Sequence, residues 1–354
     1  MSPRPNRLDG LDLARCLALI GMVLVNFRLA IAPFPSGQDP LLFWFSLLEG
    51  RSAATFVTLA GIGLGLATAR LARVQAISQT CRRAVFLLAV GLLNFTIFPA
   101  DIIHYYAFYF FAACLLLKLP ERWLLAALCL TLAAAFTMQL TLDYGHGWNW
   151  DTLSYEGFWT PAGFARNLLL NGWHPVLPWL GFAIWGLWLS RQSLARSDTQ
   201  WKLMAGGALL ALASGLLSAW LQDFSPARFS PFLGTKPLPP GPLYMLNAGG
   251  IASVAIGGCL ALASRPALAA RLAPLLAAGR QTLTLYIAHI LIGMGVLEEM
   301  GWLDSGKLAQ VPPAAALYCA AAVAFAWLWS KRFRHGPLEW LMRRVCDVCD
   351  RPAP

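Results

Sequence analysis

Charged residues are scarce in this sequence, and their scarcity excludes most soluble folds. Asp, Glu, Lys and Arg make up only 12% of the 354 residues, whereas 58% of the residues are hydrophobic. Soluble proteins carry roughly twice that charged fraction. The composition therefore predicts an integral membrane protein whose main partner is the lipid bilayer.

Paired metal-binding and redox motifs are also lacking. The eight cysteines are mostly isolated within hydrophobic stretches, and only Cys346 and Cys349 form a CxxC. No second CxxC or histidine pair completes a zinc site, and a reduced cytoplasmic tail is the favoured interpretation. No glycine-rich phosphate loop or Ser-His-Asp order is evident. We therefore expect no metal cofactor.

Ten hydrophobic stretches are long enough to be spanning helices. They predict an all-α membrane bundle in which residues 1–354 form a single transmembrane domain. The stretches lie near 11–31, 52–69, 84–98, 102–118, 122–142, 174–190, 203–221, 243–263, 281–298 and 311–330.

The basic residues are distributed unevenly between the two ends of these helices. With the N-terminus inside, 20 of the 27 Lys and Arg residues fall on the inner side and six on the outer side. Inner connections of membrane proteins are enriched in Lys and Arg. The bias predicts that both termini are cytoplasmic. The formal charge of +10 thus reflects membrane orientation, and no nucleic-acid partner is expected.

The first helix carries a polar stripe. Asp12, Arg15 and Asn26 share one helical face with Leu19 and Met22, at successive spacings of three and four residues. Polar groups facing lipid would cost several kcal/mol, so the stripe must face other helices or a water-filled cavity. Either a buried Asp12–Arg15 pair stabilises helix packing, or the stripe is a polar pathway with a site at each end.

Two histidines within predicted helices are candidates for proton transfer, because histidine exchanges protons near neutral pH. His289 lies near the midpoint of the ninth helix, with Tyr286 on about the same face, and Asn26 is expected further out. Asp101 lies three residues before His104 at the outer end of the fourth helix. Asp101 either caps that helix or orients His104. Either histidine could instead be a packing residue satisfied by a neighbour.

Two outer connections are informative. Pro33–Arg51 is predicted to contain a short interfacial helix, and within it Glu49 and Arg51 flank Gly50, where they either bind a polar substrate or pair with each other. Leu142–Trp173 is rich in Tyr, Trp and Phe. Its rings either anchor the chain at the membrane interface or form a wall for a sugar or lipid substrate.

Several arginines gather at the predicted inner side. They either orient the protein in the membrane or receive the anionic tail of a cofactor. These residues are Arg15, Arg82, Arg83 and Arg280.

Blocks along nearly the whole chain resemble the bacterial YeiB-like membrane proteins. More distantly, they resemble the catalytic domain of heparan-alpha-glucosaminide N-acetyltransferase, a transmembrane acyltransferase. The blocks are RLDGLDLARCLALIGMVLVNF, EGRSAATFVTLAGIGLG, HPVLPWLGFAIWG, GRQTLTLYIAHI and the terminal GPLEWLMR.

The second resemblance implies transfer of an acetyl group from cytoplasmic acetyl-CoA to an amino sugar across the membrane. The asparagine that this family carries at the outer end of its first helix matches Asn26, and its G…YVGH segment matches Gly279, Tyr286 and His289. The family's catalytic histidine lies in the loop after the first helix, but here Pro33–Gly50 contains no histidine. His104 or His289 would therefore have to take its place.

The leading hypothesis is a membrane-embedded acyltransferase of the bacterial inner membrane. Acetyl-CoA or another acyl-CoA would be the donor, and an envelope glycan, a lipid or a small molecule would be the acceptor. His289 or His104 would act as base or acyl carrier, and Asn26 would donate to the oxyanion. The alternative is a transporter of a small amphipathic solute, with the Asp12–Asn26 stripe lining its path. The sequence leaves a homodimer open.

Overall fold

The protein is an all-α polytopic membrane protein. A computed structural model describes residues 8–35 and 39–348, with side chains up to 346. Its α-helices are α1 Asp9–Ile31, α2 Pro40–Leu48, α3 Arg51–Thr68, α4 Arg73–Phe95, α5 Ile103–Leu116, α6 Glu121–Thr141, α7 Pro161–Arg166, α8 Val176–Leu189, α9 Ser197–Phe224, α10 Pro242–Ala263, α11 Pro266–Arg271, α12 Ala273–Gly279, α13 Thr282–Ala288, α14 Gly295–Glu299, α15 Val311–Ser330 and α16 Pro337–Val348.

Shorter pieces complete the backbone. Trp148–Asn149 (β1) and Ser154–Tyr155 (β2) form a small antiparallel hairpin. Within residues 8–35 and 39–348, two connections contain 3₁₀ turns, and two segments have the wider π-helical register. The 3₁₀ turns are Ser230–Leu233 and Leu308–Gln310, and the π-helical segments are Asn167–Asn171 and His289–Met294.

The helices account for the ten predicted spanning segments. Within the described residues, eight segments are long and apolar enough to cross a membrane, and α5 and α8 are shorter apolar helices. The short helix predicted within Pro33–Arg51 is present as α2, and its position at the membrane interface stays a prediction. That the chain forms one transmembrane domain with both termini cytoplasmic stays a prediction.

One predicted boundary was wrong. The third helix was expected to begin at residue 84, but α4 begins at Arg73, because its first turns are polar and escape a search for apolar runs. The ninth predicted segment, 281–298, corresponds to the single span Thr282–Glu299, whose helical register changes at His289.

Large apolar side chains lie on the outside of several helices, as a lipid environment allows. Leu93 of α4, Leu130 of α6 and Leu317 of α15 are each more than 70% exposed. Such surfaces would be an aggregation hazard in water, but lipid tails are as apolar as leucine and impose no such penalty.

The described chain divides into two compact units. The first unit comprises Met1–Phe56, Ser193–Gly206 and Ala252–Pro354. Its centre is formed by α1, α12 and α15, each packed against the other two. Phe27 and Ile31 of α1 are fully buried there.

The GPLEW block of the sequence has a structural role in this first unit. Glu339 of α16 caps α13: its Oε1 accepts hydrogen bonds from the backbone amides of Leu283 and Thr284, at 2.8 and 3.2 Å. Its Oε2 accepts from the Thr284 hydroxyl at 2.6 Å. A carboxylate at a helix N-terminus satisfies amides that lack an intrahelical partner. Glu339 therefore holds the start of the helix that leads to His289.

The second unit comprises Val57–Gln192 and Gly207–Ile251. In it α4 packs along α5, α6 packs along α8, and α5 contacts α8. Its largest fully buried side chains include Trp179, Tyr105 and Tyr109. The connection between α6 and α8 carries the β-hairpin, α7 and a π-helical segment, and it contributes the aromatic side chains described below.

Candidate functional site

A buried Asp–His pair lies at the start of α5 in the second unit. His104 Nδ1 lies 3.0 Å from Asp101 Oδ2, and both side chains are at most 1% exposed. The backbone amide of His104 also donates to Asp101 Oδ2, at 3.0 Å. Both roles considered for Asp101 are thus filled at once: it caps the first turn of α5 and orients the imidazole.

Two residues of α4 hold this pair in place. Asn94 Nδ2 donates to Asp101 Oδ1 at 2.8 Å, so both oxygens of this carboxylate accept hydrogen bonds. Gly91 lies directly against the backbone of His104, because a Cβ at that position would come within 2.2 Å of the His104 nitrogen. A larger residue at position 91 would push α5, and with it the imidazole, away from α4.

The second ring nitrogen of His104, Nε2, is the unengaged atom of this Asp–His pair among the described residues. A carboxylate oxygen only accepts, so Nδ1 carries the hydrogen and Nε2 of the neutral ring carries a lone pair. Nε2 is buried and has no hydrogen-bond partner among the described residues. An imidazole oriented by a carboxylate, with its other nitrogen unengaged, is the arrangement of a general base.

Aromatic rings surround the imidazole. Tyr105 lies 3.9 Å from it between ring centroids, and Phe95 and Phe158 approach it edge-on at 5.4 and 6.1 Å. Phe95 and Phe158 stack on each other at 4.0 Å. Both rings also line a cavity of about 320 Å³, so the cavity lies one layer of side chain away from His104.

The far wall of this cavity is held rigid by Asn171, which is fully buried. The Trp148 indole N–H donates to the Asn171 carbonyl at 2.5 Å, and the Tyr155 hydroxyl donates to Asn171 Oδ1 at 2.9 Å. Burial raises the pKa of Tyr155, so its hydroxyl keeps the proton it donates. The Asn171 amide in turn donates to the carbonyls of Tyr144 and His146.

A second polar pair lies in the first unit. Asn26 Nδ2 is 2.9 Å from His289 Nε2, and His289 is fully buried. α1 brings the Asn26 side chain into contact with His289, and the expectation that Asn26 lies further out in the membrane stays a prediction. His289 Nδ1 donates to the Tyr286 carbonyl. Its Nε2 therefore accepts from Asn26, and unlike His104 it has no unengaged lone pair.

The helix register widens at this pair. His289–Met294 is π-helical, a feature that is often found at functional sites. Tyr286 is buried and packs edge-on against the imidazole at 4.7 Å. It supports the histidine in this structure.

The predicted Asp12–Arg15 pair is present. Arg15 Nη1 lies 2.7 Å from Asp12 Oδ1, with the aspartate side chain 3% and the arginine 26% exposed. Gly279 of α12 lies directly on this turn of α1, since a Cβ there would come within 1.8 Å of the Asp12 carbonyl. Arg280 follows Gly279, so two of the arginines predicted to receive an anionic tail lie near one close contact of α1 and α12.

The residues of this unit that are predicted to lie on the outer side are also paired. Glu49, at the end of α2, forms an ion pair with Arg28 of α1. Arg51, the first residue of α3, donates to the Ser46 carbonyl at 2.9 Å. Glu49 thus ties α2 to α1, a link that the sequence did not suggest.

Sequence reasoning missed Asn94, Asn167 and Asn171. Tyr105 donates to Asn167 Oδ1 at 2.5 Å, and all three amides are almost completely buried. The signal in the sequence was an asparagine within or next to an apolar helix, because a polar side chain there must find a hydrogen-bond partner. Among the described residues, no three His, Cys, Asp or Glu side chains are grouped as metal ligands. Cys349 of the CxxC lies outside the described residues.

Two protein families match the chain. Residues 7–217 match the family described as heparan-alpha-glucosaminide N-acetyltransferase, catalytic. The chain belongs to this family. Residues 188–348 match a second family, described as a protein of unknown function (DUF418). Together the matches confirm the resemblance seen in the sequence blocks. Among curated proteins, none matches the chain.

The first match covers Asn26, Asp101 and His104, whereas His289 and Glu339 fall in the second. Membership makes the chain a membrane protein of an acetyltransferase family. It also underlines a departure, because the loop after α1 offers no histidine at all.

Proposed function

We propose that this protein is an acyltransferase of the bacterial inner membrane. It would move an acyl group from cytoplasmic acyl-CoA to an acceptor on the other side, with His104 as general base. The observation that supports this most is the unengaged Nε2 of His104, whose ring Asp101 orients at 3.0 Å.

The chemistry requires one proton acceptor and one leaving group. The acceptor's hydroxyl or amine attacks the thioester carbonyl while His104 Nε2 takes its proton. The carbon–sulfur bond then breaks, and the CoA thiolate leaves and takes up the proton from the imidazolium. Asp101 stabilises the imidazolium during this step, as a carboxylate does behind a catalytic histidine.

The donor would be held by arginines of the first unit. Acyl-CoA carries several negative charges, which favour basic groups at the cytoplasmic end. Arg15 and Arg280 lie near the Asp12–Gly279 contact. Arg280→Ala should weaken acetyl-CoA binding about tenfold, or roughly 1.4 kcal/mol.

Asn26 and His289 are assigned a supporting role in this proposal. The Asn26 amide engages His289 Nε2 and so keeps that nitrogen from acting as a base. The alternative assignment, His289 as the base, would require Asn26 to release Nε2 first. His104→Gln and His289→Gln are matched variants that separate the two assignments.

The test uses full-length protein in lipid nanodiscs with radiolabelled acetyl-CoA and an extract of envelope lipids and glycans. Wild type should transfer label, and His104→Gln should abolish transfer while acetyl-CoA binding, measured by titration calorimetry, stays within about twofold of wild type, or roughly 0.4 kcal/mol. His289→Gln should retain measurable transfer. The reverse ranking would move the base to His289, and no binding of acetyl-CoA at all would favour the transporter.

A further inference from the structure

The cavity beside His104 has a lining that points to one class of acceptor. Six aromatic rings contribute to its wall: Phe95, Trp148, Tyr155, Phe158, Trp159 and Trp173. The twelve described residues that line it include no Asp, Glu, Lys or Arg. Small-molecule sites typically combine such apolar walls with a few placed polar groups; here these groups come from Ser154, Thr160 and Asn167.

We propose that this cavity binds an uncharged sugar ring, acylated on a hydroxyl oxygen. This inference rests on the proposed function and names its acceptor. A pyranose has an apolar C–H face, which suits an aromatic wall, and a rim of hydroxyls, which suits the three polar residues. An anionic sugar would lack a cationic partner among the lining residues, and an ammonium would lack a carboxylate.

The wall is arranged in advance for such a ring. Trp148 meets Tyr155 and Trp173 at nearly right angles, with centroid distances of 5.3 Å in both cases. The polar ends of Trp148 and Tyr155 are both bound to Asn171. Their rings are therefore ordered before a ligand binds, and binding does not have to offset the entropy cost of ordering them. Arg166 contacts the Tyr155 hydroxyl and does not line the cavity.

The cavity size limits the ligand. A volume of 320 Å³ lies at the lower end of the range of about 300–1,000 Å³ for small-molecule sites. One sugar ring fits this space, and a longer glycan would have to extend outside it. The stacked Phe95 and Phe158 rings lie between the bound ring and His104, so a hydroxyl reaches Nε2 when this pair shifts.

The test measures binding without any acyl donor, so its outcome is separate from that of acyl transfer. Full-length protein in nanodiscs, free of glycoside detergents, is studied by saturation-transfer NMR with methyl β-glucopyranoside as the neutral probe. Glucuronate and choline are the anionic and cationic probes. We expect transfer to the C–H face of the neutral sugar and none to glucuronate. Tighter binding of choline would overturn the proposal.

Two variants show where the probe binds. Trp173→Ala should weaken binding of the neutral sugar at least about tenfold, or roughly 1.4 kcal/mol, whereas Trp220→Ala, an exposed tryptophan of α9 outside the lining, should leave it unchanged. Ser154→Phe is the second variant, to be used if Trp173→Ala does not fold. It keeps the aromatic wall but fills the cavity, so it should abolish sugar binding. Equal binding in Ser154→Phe and wild type would refute the site. Sugar binding without acyl transfer would refute the proposed function alone.

Discussion

Replacing Asp101 with asparagine tests the proposed base without removing its supports. Asp101→Asn keeps the shape of the side chain but removes its negative charge. The new Nδ2 would face the Asn94 amide, which now donates to Oδ1. Asn94 can rotate its amide by half a turn, because its own Oδ1 is buried without a partner. The hydrogen bond to His104 Nδ1 is then kept.

The expected loss follows from the geometry. Nδ1 and Oδ2 are 3.0 Å apart, which places the imidazolium and carboxylate charges about 4 Å apart, an attraction of about 4 kcal/mol at an effective dielectric constant near 20. A neutral hydrogen bond recovers about 0.5–1.5 kcal/mol. The charge on the imidazole exists only while the proton is held, so the difference acts on the transition state. Transfer should slow roughly 70- to 400-fold.

The assay is acetyl transfer from radiolabelled acetyl-CoA to envelope extract, alongside thermal unfolding of each variant. Asp101→Asn should unfold near the wild-type temperature. Asp101→Ala is the contrasting variant, because it leaves Asn94 and two donors of His104 buried without an acceptor. Each unsatisfied donor costs about 1–3 kcal/mol, so Asp101→Ala should lose stability as well as activity.

One result would refute this reasoning. If Asp101→Asn remains folded and its transfer rate stays within about threefold of wild type, a difference of roughly 0.65 kcal/mol in barrier, the carboxylate does not stabilise a charged imidazole. His104 would then be a packing residue, and the base would have to be sought at His289.

Two further predictions concern packing around the polar groups. Arg15→Gln should lower the free energy of unfolding by an amount near the lower end of the about 3–5 kcal/mol seen for broken buried pairs, because a quarter of the Arg15 side chain is exposed. Adding Asp12→Asn should restore part of that loss. If thermal unfolding shows instead that the two substitutions have independent, additive effects, the pairing is contradicted. Phe158→Leu should speed the reaction of His104 with diethyl pyrocarbonate, measured by mass spectrometry. Phe164→Leu, which removes a ring outside the cavity lining, should leave the rate of this reaction unchanged. Equal rates in the two variants would show that Phe158 does not cover Nε2.

Much of the fold could be predicted from the sequence, because membrane insertion depends on local composition. Apolar length determines which segments span, and each of the ten predicted segments corresponds to a helix in the described chain. The Asp12–Arg15 pair and the Asp101–His104 pair were also predictable, since residues three apart on one helix turn are neighbours. The family followed from short blocks that share order and spacing.

Contacts between distant segments could not be predicted in this way. Asn26 and His289 are 263 residues apart in sequence, and no periodicity indicates that their side chains meet. The hydrogen bond from Asn94 to Asp101 depends on the close approach of α4 and α5 at Gly91. The cap on α13 depends on Glu339, which lies in the last helix. Hydropathy also missed the register change at His289, because a π-helical segment has the same composition as an α-helix.

Tertiary structure alone distinguished the two candidate histidines. Both histidines lie in apolar helices and cannot be distinguished by the composition around them, yet their Nε2 atoms have different environments. His289 Nε2 accepts from Asn26, whereas His104 Nε2 is left without a partner beside an aromatic cavity. A lone pair can act as a base only if no other donor occupies it, and which donors approach it is decided by how the helices pack.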